Sequence, residues 1–142
     1  MILGEFLSDG TPIVEGFLTL PRFNVTKSVR FLVDTGAYAT CIHPRDSTQI
    51  SLPFDLLERP VRSDGVGGMA TYFLEPAILE FVDGDAREIH RYEIDTRIAK
   101  PAPDPRHSIN RLHSLLGRDM IDRWRMLYDR TDNLLTFMVR TP

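Results

Sequence analysis

Asp34 ends the apolar run Phe31-Leu32-Val33 and is followed at once by Thr35, Gly36 and Ala37. Asp-Thr-Gly after a buried run makes an ordinary turn, but a carboxylate placed there also has the chemistry to accept or donate a proton. Two other stretches carry residues of the kind that catalytic loops use. Gly65-Val66-Gly67-Gly68 reads as a hairpin tip, and Leu115-Leu116-Gly117-Arg118 reads as a strand end opening a helix. Each has a plain structural explanation alone, whereas their order and spacing point to joint use.

The elements that would position these residues are mostly strands. Alternation with β-branched and aromatic enrichment predicts strands near residues 2–7, 13–20, 25–33, 38–43, 70–82 and 88–98, separated by Gly, Pro, Asp and Asn turns. Short strands at this spacing imply an all-β barrel or sandwich. Asp83-Gly84-Asp85 is expected to be a hairpin turn, because Asp-Gly accepts positive φ at little cost. Lys100 to Arg106 holds three prolines in seven residues and reads as a surface loop. A helix is expected over 119–125, with Asp119 as its cap and Met120, Ile121 and Trp124 at helical spacing, before a hairpin around 131–133. The 142 residues suit a single domain, 1–142.

Taken in order, the three stretches resemble the retropepsin-like aspartic proteases, single-domain relatives of pepsin. The resemblance spans about residues 16–137 and rests on Asp34-Thr35-Gly36-Ala37, the glycine-rich Gly65 to Gly68, and Leu115-Leu116-Gly117-Arg118. It implies a closed all-β barrel with a flap hairpin and one short C-terminal helix. It also implies an aspartic endopeptidase, in which two carboxylates share a proton and activate a water against a peptide carbonyl. The chain supplies one Asp-Thr-Gly, so the implied enzyme is a homodimer with Asp34 from each protomer on the two-fold axis.

By resemblance, Asp34, Thr35 and Gly36 form the catalytic loop, with Thr35 bonding across the axis. Ala37, Tyr38 and the flap residues Gly65, Val66, Gly67, Gly68 and Met69 would contact an extended peptide, with Tyr72 as a further lining residue. Leu116, Gly117 and Arg118 are expected to be structural support. Viral members carry an acidic residue where Tyr38 stands, which leaves the substrate contact and the partner of Arg118 open. The apolar ends, residues 1–6 and 134–139, suit either interleaving with a partner or pairing within the chain. A catalytically silent peptide-binding or dimerisation module of the same fold is the alternative.

Other chemistry finds less support. Net charge is −3 and no basic block stands out before residue 118, which argues against nucleic acid; Arg123-Trp124-Arg125 reads as part of an amphipathic helix. The four histidines lack metal-ligand spacing, and no cofactor or metal is expected. Gly65 to Gly68 lacks the Lys-Ser/Thr of a phosphate loop. Cys41 is expected to be a packing thiol on the apolar side of a strand. No run approaches the roughly 20 apolar residues of a membrane span, and the expectation is a soluble, cytoplasmic protein.

Overall fold

The computed structural model describes residues 1–65, 68–84 and 87–140. Val66, Gly67 and Asp85, named above for the flap and the hairpin turn, lie outside the described residues. In chain order the strands are β1 (Ile2–Leu3), β2 (Glu5–Phe6), β3 (Pro12–Leu20), β4 (Val25–Val33) and β5 (Cys41–Ile42), followed by a one-turn helix α1 (Pro44–Ser47). Then come β6 (Arg59–Gly65), β7 (Gly68–Asp83), β8 (Glu88–Ala99), β9 (Leu115–Leu116), helix α2 (Arg118–Ile121), β10 (Trp124–Asp129) and β11 (Leu134–Val139).

β3 and β4 alternate buried and exposed side chains, the period-two pattern of strands with one face on a core. They join through a short 3-10 turn that ends on Asn24 in the left-handed region, φ 52°. The ladder runs β3-β4-β9-β5-β8-β7, and antiparallel pairing of β3 with β7 closes it into a six-stranded barrel. Two links in this ring are parallel, β4 with β9 and β5 with β8. β2 and β6 extend the ring on either side.

β1, β11 and β10 form a separate three-stranded sheet, with Ile2 opposite Phe137 and Phe137 opposite Met126. β1 and β11 thus pair within the chain. Trp124 joins this sheet to the barrel, with ring centroids 4.9 Å from Phe81, 5.9 Å from Tyr92 and 5.3 Å from Phe137. Burying Trp124, Phe81 and Phe137 stabilises the fold by roughly 2–3 kcal/mol each. Among the described residues, no helix is long and apolar enough to cross a membrane.

The all-β barrel expected from strand spacing is what the chain forms, but three local expectations change. The helix after Gly117 stops at Ile121, and Trp124 begins a strand. Its indole is buried and donates to the Tyr92 hydroxyl at 2.9 Å, so tertiary packing overrides the helical spacing. The strand expected over 38–43 is confined to Cys41–Ile42, because residues 38–40 belong to the loop that follows Asp34. Finally β6, Arg59–Gly65, was not anticipated. It is an edge strand, where Pro60 and charged residues are tolerated.

Candidate active site

β4 delivers Asp34 to the end of the barrel, where its backbone N–H donates to Leu116 O at 3.0 Å. The chain then turns, with Ala37 N donating to Asp34 O at 3.2 Å and Gly36 N to Asp34 Oδ1 at 2.9 Å. A side chain at Gly36 would place its Cβ 3.1 Å from that carboxylate oxygen. Glycine therefore leaves the Asp34 carboxylate uncrowded as well as oriented. Thr35 and Gly36 are exposed, and the Thr35 hydroxyl takes no partner among the described residues of its own chain.

The segment 116–119 underpins this loop. Gly117 packs directly beneath Ala39: an added Cβ would stand 2.4 Å from the Ala39 carbonyl carbon and 2.6 Å from its oxygen, so no side chain fits. Arg118 donates through its backbone N–H to Ala37 O and through Nη1 to Thr35 O, both at 2.8 Å. Asp119 then reaches the far end of the loop. Its carboxylate accepts from Thr40 N at 3.1 and 3.0 Å and from Thr40 Oγ1 at 2.7 Å. This corrects the expectation that Asp119 caps helix α2, whose N-cap position is Gly117, without a side-chain cap bond.

Ala37 is half-buried, and Tyr38 is 62% exposed beside it. The Tyr38 ring carries the Arg97 guanidinium, centred 4.4 Å from the ring centroid, and its hydroxyl accepts from Arg97 Nη2. With no acidic residue at position 38, the Arg118 guanidinium donates to the Thr35 carbonyl instead, while Ala37 O accepts from the Arg118 backbone N–H. The β6–β7 hairpin pairs continuously from Arg59 opposite Leu74 to Gly65 opposite Gly68, with Met69 opposite Asp64. β8 joins β7 only from Tyr72 onward, so residues 68–71 pair with β6 alone and the hairpin projects past the barrel sheet.

Residues 21–78 match the family model for aspartyl proteases. No curated protein sequence matches the chain. Its backbone superposes on the crystal structure of a retropepsin-like aspartic protease from Rickettsia conorii, with a TM-score of 0.61, 20% sequence identity and coverage of 95% of both chains. The fold is that of the retropepsin-like aspartic proteases.

Within this retropepsin-like fold the lone thiol is a packing group, as expected. Cys41 is buried, and desolvation pushes its thiol up to about 11 against a partial offset from Arg97. An un-ionised thiol is a packing group. His43 is also buried, which holds it below the usual histidine range. Its Nδ1 lies 2.6 Å from His113 O and must donate there, so neutral Nε2 accepts from the Tyr72 hydroxyl at 3.1 Å. Tyr72 thus faces His43, and the pair ties the root of the hairpin to the barrel. A separate cleft of about 280 Å³, bounded by Leu7, Lys27, Arg30, Arg45 and His113, does not include the Asp34 loop.

Nothing in the local sequence marks Asp119 as the partner of Thr40 or Arg97 as the partner of Tyr38. Both pairs span more than fifty residues, and no short motif records contacts of that range.

Proposed function

We propose that this chain is an aspartic endopeptidase, one domain per protomer, in which Asp34 from two protomers shares a proton and activates a water against a peptide bond. The observation that carries this reading is the Asp34 loop itself. One carboxylate oxygen is oriented by Gly36 N–H, the loop is braced by Gly117 and Arg118, and Thr35 stands exposed with its hydroxyl free of bonds to the described residues of its own chain. One such carboxylate cannot run the dyad chemistry, so the reading requires a homodimer, with Thr35 bonding across the two-fold axis.

Substrate would lie extended over Ala37 and Tyr38, beneath a flap formed by the β6–β7 hairpin around Gly65, Val66, Gly67, Gly68 and Met69. Extended pairing draws affinity from the peptide backbone and selectivity from alternate side chains. The lone thiol of Cys41, buried and un-ionised, accords with a cytoplasmic setting.

The test is digestion of a mixed peptide library between about pH 3 and 7 by the wild type and by Asp34→Asn, with sedimentation of both. Cleavage by the wild type, and its loss by at least about a thousandfold in a folded, dimeric Asp34→Asn, is the expected result. An intact dimer without cleavage would replace the protease reading with that of a peptide-binding or dimerisation module.

A further inference from the structure

Side chains of directly paired residues share one face of a sheet. Arg59 is paired with Leu74, Leu74 with Arg97, and Arg97 with Cys41, so these four form a row across β6, β7, β8 and β5. The two arginines of the row differ in one respect. Arg59 is neutralised by Asp95, with Nη2 3.0 Å from Oδ1, whereas Arg97 has no carboxylate partner among the described residues. Its side chain is half-buried, and its only polar side-chain contact among the described residues is the Tyr38 hydroxyl.

A guanidinium without an anion is costly to hold in a partly desolvated place. Here it lies over the exposed Tyr38 ring, 4.4 Å from the centroid, and is anchored at its root, where Arg97 N donates to Thr40 O at 3.1 Å. That arrangement fixes the position of the guanidinium and, among the described residues, leaves most of its five donors without an acceptor, which suits capture of a carboxylate.

The position is set by the barrel. Val33 pairs with Leu116, Leu115 with Cys41, and Cys41 with Arg97, so three strand spacings separate the Asp34 end of β4 from Arg97. That path along the curved sheet is about 14 Å, which sets an upper bound on the direct separation and is spanned by about four residues of an extended peptide. Both Asp34 and Arg97 also act on the Cys41 thiol, in opposite directions.

We propose that Arg97, stacked on Tyr38, forms a carboxylate-binding subsite at the rim of the Asp34 loop, selecting peptides with an acidic group within about four residues of the scissile bond. The inference rests on the protease reading for the bond that is cut, but the subsite itself needs only peptide binding. An acidic side chain and a peptide C-terminus present the same carboxylate. The first calls for an endopeptidase preference for Glu or Asp, and the second for cutting near chain ends.

The experiment pairs peptides that differ only by Glu, Gln or Lys at each position around a cleaved bond, with free and amidated C-termini, near pH 5.5, where glutamate is ionised. The readout is the ratio of kcat/KM for the Glu peptide to that for its Gln twin, which a general loss of folded enzyme does not alter. At one position this ratio should reach about tenfold, fall toward one in Arg97→Gln, and invert in favour of Lys in Arg97→Glu. If free and amidated peptides differ while internal Glu and Gln do not, the carboxylate is the chain end.

The same peptides titrated onto Asp34→Asn, read by fluorescence anisotropy, separate this inference from the protease reading. Glu-dependent binding without cleavage by the wild type sustains the subsite and removes the protease. Cleavage with no carboxylate preference at any position, or a preference that survives Arg97→Gln, overturns the subsite alone. Neither cleavage nor carboxylate-dependent binding overturns both.

Discussion

Residues 34–40 are held by a second segment almost residue by residue, while residues 62–65 and 68–71 pair only with each other. In the Asp34 loop, Leu116, Arg118 and Asp119 satisfy Asp34, Thr35, Ala37 and Thr40 in turn, and Gly117 closes the gap beneath Ala39. In the β6–β7 hairpin, the ladder from Gly65–Gly68 back to Thr71 is a two-stranded ribbon without a third strand. An isolated two-stranded ribbon is marginally stable in water. On the proposed reading, a loop that aims a carboxylate gains from being over-determined, and a hairpin that admits and covers a peptide gains from weak attachment. Substitutions in the two regions should therefore fail in different ways.

The largest effect is expected at Gly117. Gly117→Ala would push a methyl into the Ala39 backbone at 2.4–2.8 Å, and neither strand β9 nor the loop can yield without breaking the bonds at Asp34 N and Thr40 Oγ1. A loss of at least about 3 kcal/mol follows, enough to unfold much of a marginal domain. Urea denaturation checks it. Near-wild-type stability would mean that the two segments are not packed as tightly as these distances require.

Gly117 also shows how far the sequence can be read. Asp34-Thr35-Gly36 and Leu116-Gly117-Arg118 are recognisable because steric demands fix their residue types: only glycine tolerates the Ala39 backbone at such range. The barrel is legible for a similar reason, since β3 and β4 must alternate to bury Val29, Phe31 and Val33 on one face. The illegible parts are those decided by distant partners. Trp124 has helical spacing from Met120, yet its ring is claimed by Phe81 and Phe137 and its N–H by Tyr92. β6 carries Pro60, Arg62 and Asp64, a poor strand by composition, and forms because β7 offers it an open edge.

Asp119 is the next largest case. Asp119→Ala would strand the N–H and hydroxyl of Thr40, a residue with 0% exposure, at a cost of about 2–3 kcal/mol. Because Thr40 O also accepts from Arg97 N and Thr96 Oγ1, the disturbance should spread along the loop toward Tyr38. Asp119→Asn keeps an acceptor and should recover about half of the loss. Equal losses in the two variants, measured by thermal unfolding, would show that charge rather than hydrogen bonding holds the loop.

The smallest effect should come from the hairpin side, where the Tyr72–His43 side-chain bond helps tie the ribbon root to the barrel. Tyr72→Phe removes the donor to His43 Nε2 and should cost about 1 kcal/mol. The same contact carries a pH dependence. Burial holds His43 below its ordinary value of 6.5, so the unfolded chain binds its proton more readily than the folded one. Its contribution is therefore complete above about pH 6.5 and declines as the pH falls through the lowered folded value. His113, depressed by burial and by Arg45, adds to the slope in the same direction. Unfolding by urea at descending pH from 7 should show stability falling with acid. The slope should shrink but not vanish in His43→Gln, whose amide can still donate to His113 O and accept from Tyr72. An unchanged slope in that variant would assign the acid sensitivity to His113 or to carboxylates, and would leave the hairpin root without a titrating tie.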